Sequence, residues 1–239
     1  MISGLFGIGG GYKSYSMVSR FIPMSLARGA FVVTNVPMYW DRWFSVADSR
    51  YDTGGWRERL RLVSPDLTAE QFERVLPSGT VSCPVHAYMD EMADVFDSWA
   101  PREEVAKAIK MLRYSRHMRI DLTLACQGPN LMQDRVVSQV GRWFRVADGG
   151  VWEAAGLPPG VARVARKVCS KSYHLWEMTG GRKQQVIRHC MVPKDPVWYG
   201  TYESYSIPSG FVGREVVTLR QAVGAVVESV RSGMGCGWL

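Results

Sequence analysis

Runs of apolar residues alternate along the first 150 positions with segments whose apolar residues recur every three to four positions. The apolar runs predict five strands, at residues 1–7, 30–36, 81–89, 119–126 and 142–146. The helical spacing is clearest after the first strand, where residues 14–27 carry Met17, Val18, Phe21, Met24 and Leu26. Strands that alternate with helices favour an α/β fold with a mainly parallel sheet and flanking helices.

Three further helices are expected, at residues 64–76, 98–117 and 130–140. Ser64 or Asp66 is the predicted N-cap of the first, and Pro101 is expected in the first turn of the second. The remainder of the stretch 37–80 is hard to assign, because aromatic and polar side chains are mixed in "YWDRWFSVADSRYDTGGW".

The pattern changes after residue 150. Residues 167–177 and 183–192 predict two strands joined by "MTGGR", an antiparallel hairpin appended to the sheet. A later apolar stretch, 216–230, is interrupted by polar residues and is typical of an amphipathic helix. We therefore expect a core at 1–150, a basic hairpin extension of the same domain at 151–206, and a C-terminal amphipathic helix and tail at 207–239.

Composition narrows the class of protein. The chain has 239 residues, of which 46% are apolar, so it can bury a sizeable core. Its five cysteines are scattered, without a C-x-x-C pair or a zinc-finger spacing to histidine, which indicates a reduced chain without a structural metal. The sequence contains neither a signal-peptide pattern nor an uncharged apolar run long enough to span a membrane.

The charge is unevenly distributed. The formal net charge is +7, but residues 1–100 hold nine basic and eleven acidic residues, which leaves the later part strongly basic. Within 161–194 only Glu177 opposes eight basic residues: Arg163, Arg166, Lys167, Lys171, Arg182, Lys183, Arg188 and Lys194. Such a segment suggests a polyanion partner, although a solvated basic face would produce the same composition.

The glycine-rich stretch "GIGGGYKS", residues 7–14, approaches the phosphate-binding pattern G-x-x-x-x-G-K-[ST]. Gly7, Lys13 and Ser14 match, but Tyr12 replaces the second glycine. In such a loop, backbone N–H groups and the lysine bind phosphates, and the hydroxyl binds Mg²⁺. A flexible glycine turn between a strand and a helix is the alternative.

Polar residues follow two other predicted strands. Asp90 and Glu91 end the third strand, and Gln127 ends the fourth. Because the carboxyl ends of parallel strands share one edge of the sheet, all three are expected beside the glycine loop. There Asp90 can hold Mg²⁺, Glu91 can activate a water, and Gln127 can contact the γ-phosphate or that water. Taken singly, Glu91 could be a helix cap and Gln127 an ordinary loop residue.

This order of motifs, with "RGAFVVTNVP", "YMDEM", "YSRHMRIDLTLACQGPNLMQDRV" and "DPVWYGTYESYS", resembles the zonular occludens toxin family over residues 1–206. The family is related to the assembly ATPases of filamentous phages and to the P-loop pumping ATPases that include FtsK and HerA. The resemblance implies a RecA/FtsK-like P-loop NTPase fold that binds ATP and Mg²⁺.

By resemblance, the ATP-site positions are Lys13, Ser14, Asp90, Glu91 and Gln127. The nucleotide would be lined by Gly7, Gly9, Gly10, Gly11, Tyr12, Lys13, Ser14 and Tyr15, with Ser14 and Asp90 at the metal. Asn35 matches a polar residue that closes the second strand, and Arg116 and His117 match an Arg-His pair. Two departures stand out. Tyr12 would be strained wherever the loop requires a positive φ, unless Gly9–Gly11 supply that freedom, and the chain lacks the membrane span of filamentous assembly proteins.

The resemblance therefore implies an ATP-driven motor of phage virion assembly, most simply a soluble homo-oligomeric ring that translocates DNA for genome packaging. It would work in the host bacterial cytoplasm or at a packaging vertex, with phage capsid or assembly proteins. Contacts to the DNA backbone would be non-specific and come from 161–194. A neighbour's arginine would complete the site, the candidates being Arg113, Arg116, Arg135 and Arg142. The alternatives are a nucleotide-binding structural or interaction protein with an impaired P-loop, or the soluble part of an extrusion ATPase.

Overall fold

A computed structural model describes residues 1–7, 12–97, 99, 103, 105–149, 157–169, 171–180 and 184–203. Gly9, Gly10, Gly11, Pro101 and the expected C-terminal helix lie outside these residues. The strands are β1 (Ile2–Phe6), β2 (Phe31–Thr34), β3 (Leu60–Leu62), β4 (Val85–Met89), β5 (Ile120–Cys126), β6 (Arg142–Asp148), β7 (Ser172–Thr179) and β8 (Val186–Pro193).

All eight strands form one sheet in the order β3-β2-β4-β5-β1-β6-β7-β8. The first six are mutually parallel, whereas β6–β7 and β7–β8 pair antiparallel. The predicted parallel sheet and its C-terminal hairpin are thus confirmed. The short strand β3 was not predicted, because three residues are too few to display a period.

The helices are α1 (Lys13–Ser16), α2 (Ile22–Ala27), α3 (Trp40–Asp48), α4 (Trp56–Arg59), α5 (Ala69–Val75), α6 (Ala106–Tyr114), α7 (Asp134–Val137) and α8 (Pro159–Cys169). A π-helical turn, Met17–Phe21, joins α1 to α2 in one continuous helical segment. Pro23 lies just beyond this turn and has no N–H to donate, which accounts for the local change in hydrogen bonding.

Several boundaries differ from the sequence prediction: β4 begins at Val85 instead of 81, α6 covers Ala106–Tyr114 instead of 98–117, and α7 covers Asp134–Val137 instead of 130–140. Thr68, rather than Ser64 or Asp66, caps α5, because its hydroxyl accepts a hydrogen bond from Gln71 N–H while the Gln71 side chain bonds back to Thr68. Residues 167–169 belong to α8 and not to a strand, and β7 begins only at Ser172. The spacing of Val161, Val164 and Val168 is helical, which the strand prediction overlooked.

The hydrophobic core lies in two layers on opposite faces of the sheet. Adjacent strand residues divide between them: Val33 and Leu124 pack toward α5, α6 and α7, whereas Val32 and Ala125 pack toward α1, α2 and α3. This follows from the two-residue period of a strand. In the part of the chain that the structure describes, no helix combines the length and the apolar character needed to cross a bilayer.

Candidate nucleotide site

The predicted site residues gather at one edge of the sheet. Gly7, Asn35, Asp90 and Gln127 directly follow β1, β2, β4 and β5, which are parallel neighbours in the sheet. Their strands therefore end on the same side, at the edge where open α/β sheets bind ligands. The register places Phe6 opposite Cys126, so that Gly7 and Gln127 leave the sheet side by side.

Lys13 begins the helical segment after the glycine loop and is almost completely buried, with 5% of its surface exposed. Its ammonium group donates a hydrogen bond to Gly7 O at 3.2 Å and lies 3.7 Å from Glu91 Oε1. The first intrahelical bond runs from Ser16 N–H to Tyr12 O at 2.8 Å. The N–H groups of Lys13, Ser14 and Tyr15 precede it, at the positive end of the helix dipole, where anions bind.

Ser14 and Asp90 form the second contact across the site. The Ser14 hydroxyl donates a hydrogen bond to Asp90 Oδ2, which joins the helix that follows β1 to the end of β4. One hydroxyl and one carboxylate oxygen suit Mg²⁺, which commonly takes one or two protein ligands and completes its shell with phosphate and water. These two residues therefore fit the predicted metal position.

Asn35 holds Asp90 in place. Its side-chain amide donates to Asp90 O at 3.0 Å, and its carbonyl oxygen accepts from Asp90 N–H at 2.6 Å. Asp90 Oδ1 in turn accepts from Glu91 N–H at 3.0 Å. The resemblance assigned Asn35 only to the end of β2; the structure adds that this buried amide fixes the backbone of the acidic pair.

Glu91 adopts φ 48°, one of three positive φ values outside glycine among the described residues. This turn directs its carboxylate to Lys13. Burial raises the pKa of Glu91, the nearby Asp90 carboxylate adds to the rise, and Lys13 opposes it. A carboxyl group with a raised pKa, on a residue whose backbone has a positive φ, is typical of a functional position.

Gln127 lies exposed just beyond β5, between the strand that leads to the glycine loop and the strand that leads to Asp90. Its position agrees with the sequence prediction. The thiol next to it, Cys126, is buried, and burial raises its pKa to about 12. Cys126 is therefore a core residue and not a reactive thiol.

Tyr12 also has a left-handed backbone, with φ 68° and ψ 18°. The sequence argument expected strain at this position if the loop requires a positive φ, and the loop does. Tyr15 could line the predicted nucleotide site only through its backbone. Its ring is buried in the core, and its hydroxyl accepts from Asp195 N–H at 2.7 Å, so that only its backbone remains at the helix terminus.

Two of the four candidate arginines lie at the opposite edge of the sheet from this site. Arg116 and His117 are exposed and precede β5, at the opposite edge of the sheet from the glycine loop. Arg142 likewise lies at the start of β6, where it forms an ion pair of 2.8 Å with Glu177. Arg113 and Arg135 are exposed on α6 and α7.

The basic segment is not uniformly available to a partner. Arg163, Lys171 and Arg188 are exposed, but the side chain of Lys194 is 4% exposed and its ammonium lies 2.5 Å from Asp148 Oδ2. Lys194 therefore does not contribute an exposed charge to this segment, because Asp148 at the end of β6 pairs with it. The side chains of Arg166, Lys167, Arg182 and Lys183 lie outside the description.

Together, the parallel sheet order, the glycine-rich sequence before a buried lysine, and the acidic pair at the end of β4 define the P-loop NTPase fold. Solved structures agree. The N-terminal domain of zonular occludens toxin from Neisseria meningitidis matches with a TM-score of 0.51 and 16% identity, covering 84% of this chain and 98% of that domain. The resemblance stated from the sequence motifs is thus confirmed at the level of fold.

Two further matches are to B204. The DNA-packaging ATPase B204 from Sulfolobus turreted icosahedral virus has a TM-score of 0.48 and 16% identity, covering 81% of this chain and 98% of that one. The genome packaging NTPase B204 from Sulfolobus turreted icosahedral virus 2, solved with ATP-gammaS, has a TM-score of 0.46 and 14% identity, covering 77% and 95%. No protein-family model and no curated protein sequence matches the chain.

Proposed function

We propose that the protein is an ATP-hydrolysing motor of phage virion assembly, and that it translocates DNA for genome packaging as a soluble homo-oligomeric ring. The observation that carries the proposal is the meeting of Lys13 and Ser14 with Asp90 and Glu91 at the carboxyl edge of the sheet. A glycine turn alone would not need a buried lysine paired with one carboxylate beside a hydroxyl bonded to a second.

Lys13 and the helix terminus would bind the β- and γ-phosphates. Gly7 O and Glu91 hold the Lys13 ammonium in the structure. Phosphate oxygens would replace these partners with stronger, charge-assisted hydrogen bonds. Glu91 would then be released from Lys13, so that binding of the nucleotide prepares the carboxylate for its next role.

Ser14 and Asp90 would hold Mg²⁺, which when bound neutralises charge on the phosphates. Their existing hydrogen bond shows that their oxygens already converge. Asn35 would keep Asp90 there, because it bonds both the N–H and the C=O of that residue.

Glu91 would act as the general base. It would accept a proton from water as the water oxygen bonds to the γ-phosphorus and the bond from that phosphorus to the β–γ bridging oxygen breaks. Its raised pKa supports this role, since a base works best when its pKa approaches the operating pH. Gln127 would orient the water, and an arginine of a neighbouring subunit, with Arg116 the named candidate, would stabilise the transition-state charge.

The DNA path would be lined by exposed charges of the basic extension, such as Arg163, Lys171 and Arg188. Contacts of this kind meet phosphates and carry no sequence information. The ring would work in the host cytoplasm or at a packaging vertex, with phage capsid or assembly proteins as partners.

The test is phosphate release by the purified chain with Mg²⁺–ATP, in the presence and absence of DNA. We expect hydrolysis that DNA stimulates and that Glu91→Gln abolishes while nucleotide binding persists. Glu58→Gln on α4 is the matched control, because Glu58 is exposed and lies near the opposite edge of the sheet. Hydrolysis at the parent rate in Glu91→Gln would remove the catalytic assignment.

A nucleotide-binding structural protein without turnover is the second candidate, and Tyr12 at a glycine position of the motif favours it. It predicts ATP binding without phosphate release under every condition of the same assay. The soluble part of an extrusion ATPase would instead hydrolyse ATP and associate with a membrane partner.

A further inference from the structure

The ring of Tyr12 is anchored to the C-terminal hairpin. It stacks on Tyr173 of β7, with ring centroids 6.1 Å apart and planes inclined by 10°. Lys194 directly follows β8, and its ammonium group lies 3.8 Å from the centroid of the Tyr12 ring. Because Lys194 is nearly buried, this cation–π contact is stronger than one on an exposed surface.

Polar contacts extend the anchor. Asp148, at the end of β6, pairs with Lys194 at 2.5 Å and also interacts with the Tyr12 hydroxyl. The Tyr199 hydroxyl interacts with Tyr12 as well, and burial raises the pKa of Tyr199 to about 12. Both phenols therefore remain protonated at neutral pH and keep these contacts.

Tyr15, in the helix that follows the loop, is held by β7 and by residues 195–199. Tyr15 packs edge-on against Tyr173 at 5.9 Å and lies 5.2 Å from the Tyr199 ring. Its hydroxyl donates to Asp195 O at 3.0 Å. The block "DPVWY", which resembled the family but had no assigned role, thus packs against the start of the glycine-loop helix.

The backbone conformation of Tyr12 indicates what these contacts do. A φ of 68° suits glycine, and a bulky residue keeps it only when its surroundings hold it there. Glycine at this position would leave the loop free, whereas tyrosine ties its conformation to β7 and to residues 194–199.

We propose that Tyr12 is a positioning residue that fixes the phosphate-binding loop to the hairpin through its ring, so that displacement of the hairpin changes the affinity for nucleotide. This rests on the proposed nucleotide site. By linkage, nucleotide binding alters the affinity of the hairpin for its own partner by the same factor.

Hydrogen exchange of the nucleotide-free chain tests the anchor without requiring activity. We expect Lys194→Met to raise the exchange rate of the peptide spanning 7–16 by about tenfold, through loss of a desolvated cation–π contact and its ion pair. Lys110→Met on α6 is the matched control, since Lys110 is an exposed lysine on another element. Unchanged exchange in Lys194→Met would overturn the proposal.

A double-mutant cycle separates positioning from general destabilisation. In a Tyr12→Gly background, Lys194→Met should have no further effect on that peptide, whereas additive effects would contradict the proposal. Tyr12→Phe should retain most of the parent protection, because the ring is kept. If Lys194→Met does not fold, the exchange rates of the same peptide in Tyr12→Phe and Tyr12→Leu are compared instead. Equal rates in these two variants would overturn the role of the ring.

Nucleotide affinity supplies the functional readout. With Mg²⁺–ADP as the probe, Tyr12→Gly should weaken binding about tenfold, and Tyr12→Phe by less than threefold. Equal affinities for parent and Tyr12→Gly would overturn the coupling to nucleotide. If the parent binds no nucleotide, the proposed function fails instead, and the exchange cycle still reports on the anchor.

Discussion

Lys13 and Glu91 meet across the candidate site, with Lys13 Nζ 3.7 Å from Glu91 Oε1, although 78 positions separate them in the sequence. One residue follows β1 and the other follows β4, and β5 lies between these strands. We propose that a phosphate binds beside this pair, and both members can be tested separately.

Lys13→Ala should weaken ATP binding by about 10- to 100-fold. The change removes a charge-assisted hydrogen bond, which contributes about 1.5–3 kcal/mol. Isothermal titration with Mg²⁺–ATP measures the effect, and Lys110→Ala serves as the control. An affinity within twofold of the parent would mean that Lys13 is a structural lysine that satisfies Gly7 O.

Glu91→Gln should raise the melting temperature of the nucleotide-free chain at neutral pH. Glu91 has a pKa above its ordinary value of 4.5, so the folded state binds its proton more tightly than the unfolded state does. Stability is therefore lost as pH rises through the window above 4.5, and a neutral glutamine avoids that loss. The difference between variant and parent should vanish below about pH 4. A pH-independent difference would contradict this account.

Gly7→Ala should destabilise the fold independently of any ligand. A Cβ at this position would lie 2.4 Å from Val146 O, a backbone atom of β6 that cannot rotate away. We expect a cost of about 1–3 kcal/mol, or roughly 2–4 °C in melting temperature for each kcal/mol.

Gly160→Ala is the matched control for that change, because a Cβ there meets nothing within 4 Å. Gly160 lies in the first turn of α8, so alanine should leave the melting temperature unchanged or raise it slightly. Equal losses in the two variants would show that the contact with Val146 is not the cause.

DNA binding, measured by fluorescence anisotropy on two unrelated sequences, should be salt-dependent and indifferent to sequence. Replacing Lys171, Arg182 and Lys183 with glutamate should weaken binding on both and reduce the slope of log K against log salt by about 2–3. The control replaces three exposed arginines outside the basic extension with glutamate and should leave the slope unchanged: Arg28, Arg42 and Arg61.

Sedimentation of the same variants distinguishes a DNA path from a subunit interface. If the basic extension pairs with acidic residues of the next subunit, the triple variant should lose assembly while the DNA affinity of the monomer stays constant. Absence of salt-dependent binding by the parent, assembled and loaded with ATP, would remove the translocation proposal.

The sequence by itself determined the sheet, its hairpin and the residues that follow its strands. Runs such as "AFVVTNV" are apolar because both faces of a parallel strand are buried, and polar residues directly after them must lie at the carboxyl edge. The sequence alone therefore places four residues together at this edge: Gly7, Lys13, Asp90 and Gln127. The segments 40–48 and 60–62 were not assigned. In 40–48 aromatic and polar residues are mixed, which hides the helical spacing of the buried Trp43, Phe44 and Ala47, and 60–62 is too short to display a period.

Only the tertiary structure decided what holds these residues. The reciprocal bonds of Asn35 with Asp90, the inward turn of Lys194 to Asp148, and the stacking of Tyr12 on Tyr173 join positions between 46 and 161 residues apart. Such contacts depend on which strands become neighbours, and no local pattern encodes that choice. In the sequence, Tyr12 is only a departure from the P-loop pattern. In the structure, its ring packs against Tyr173 of the hairpin.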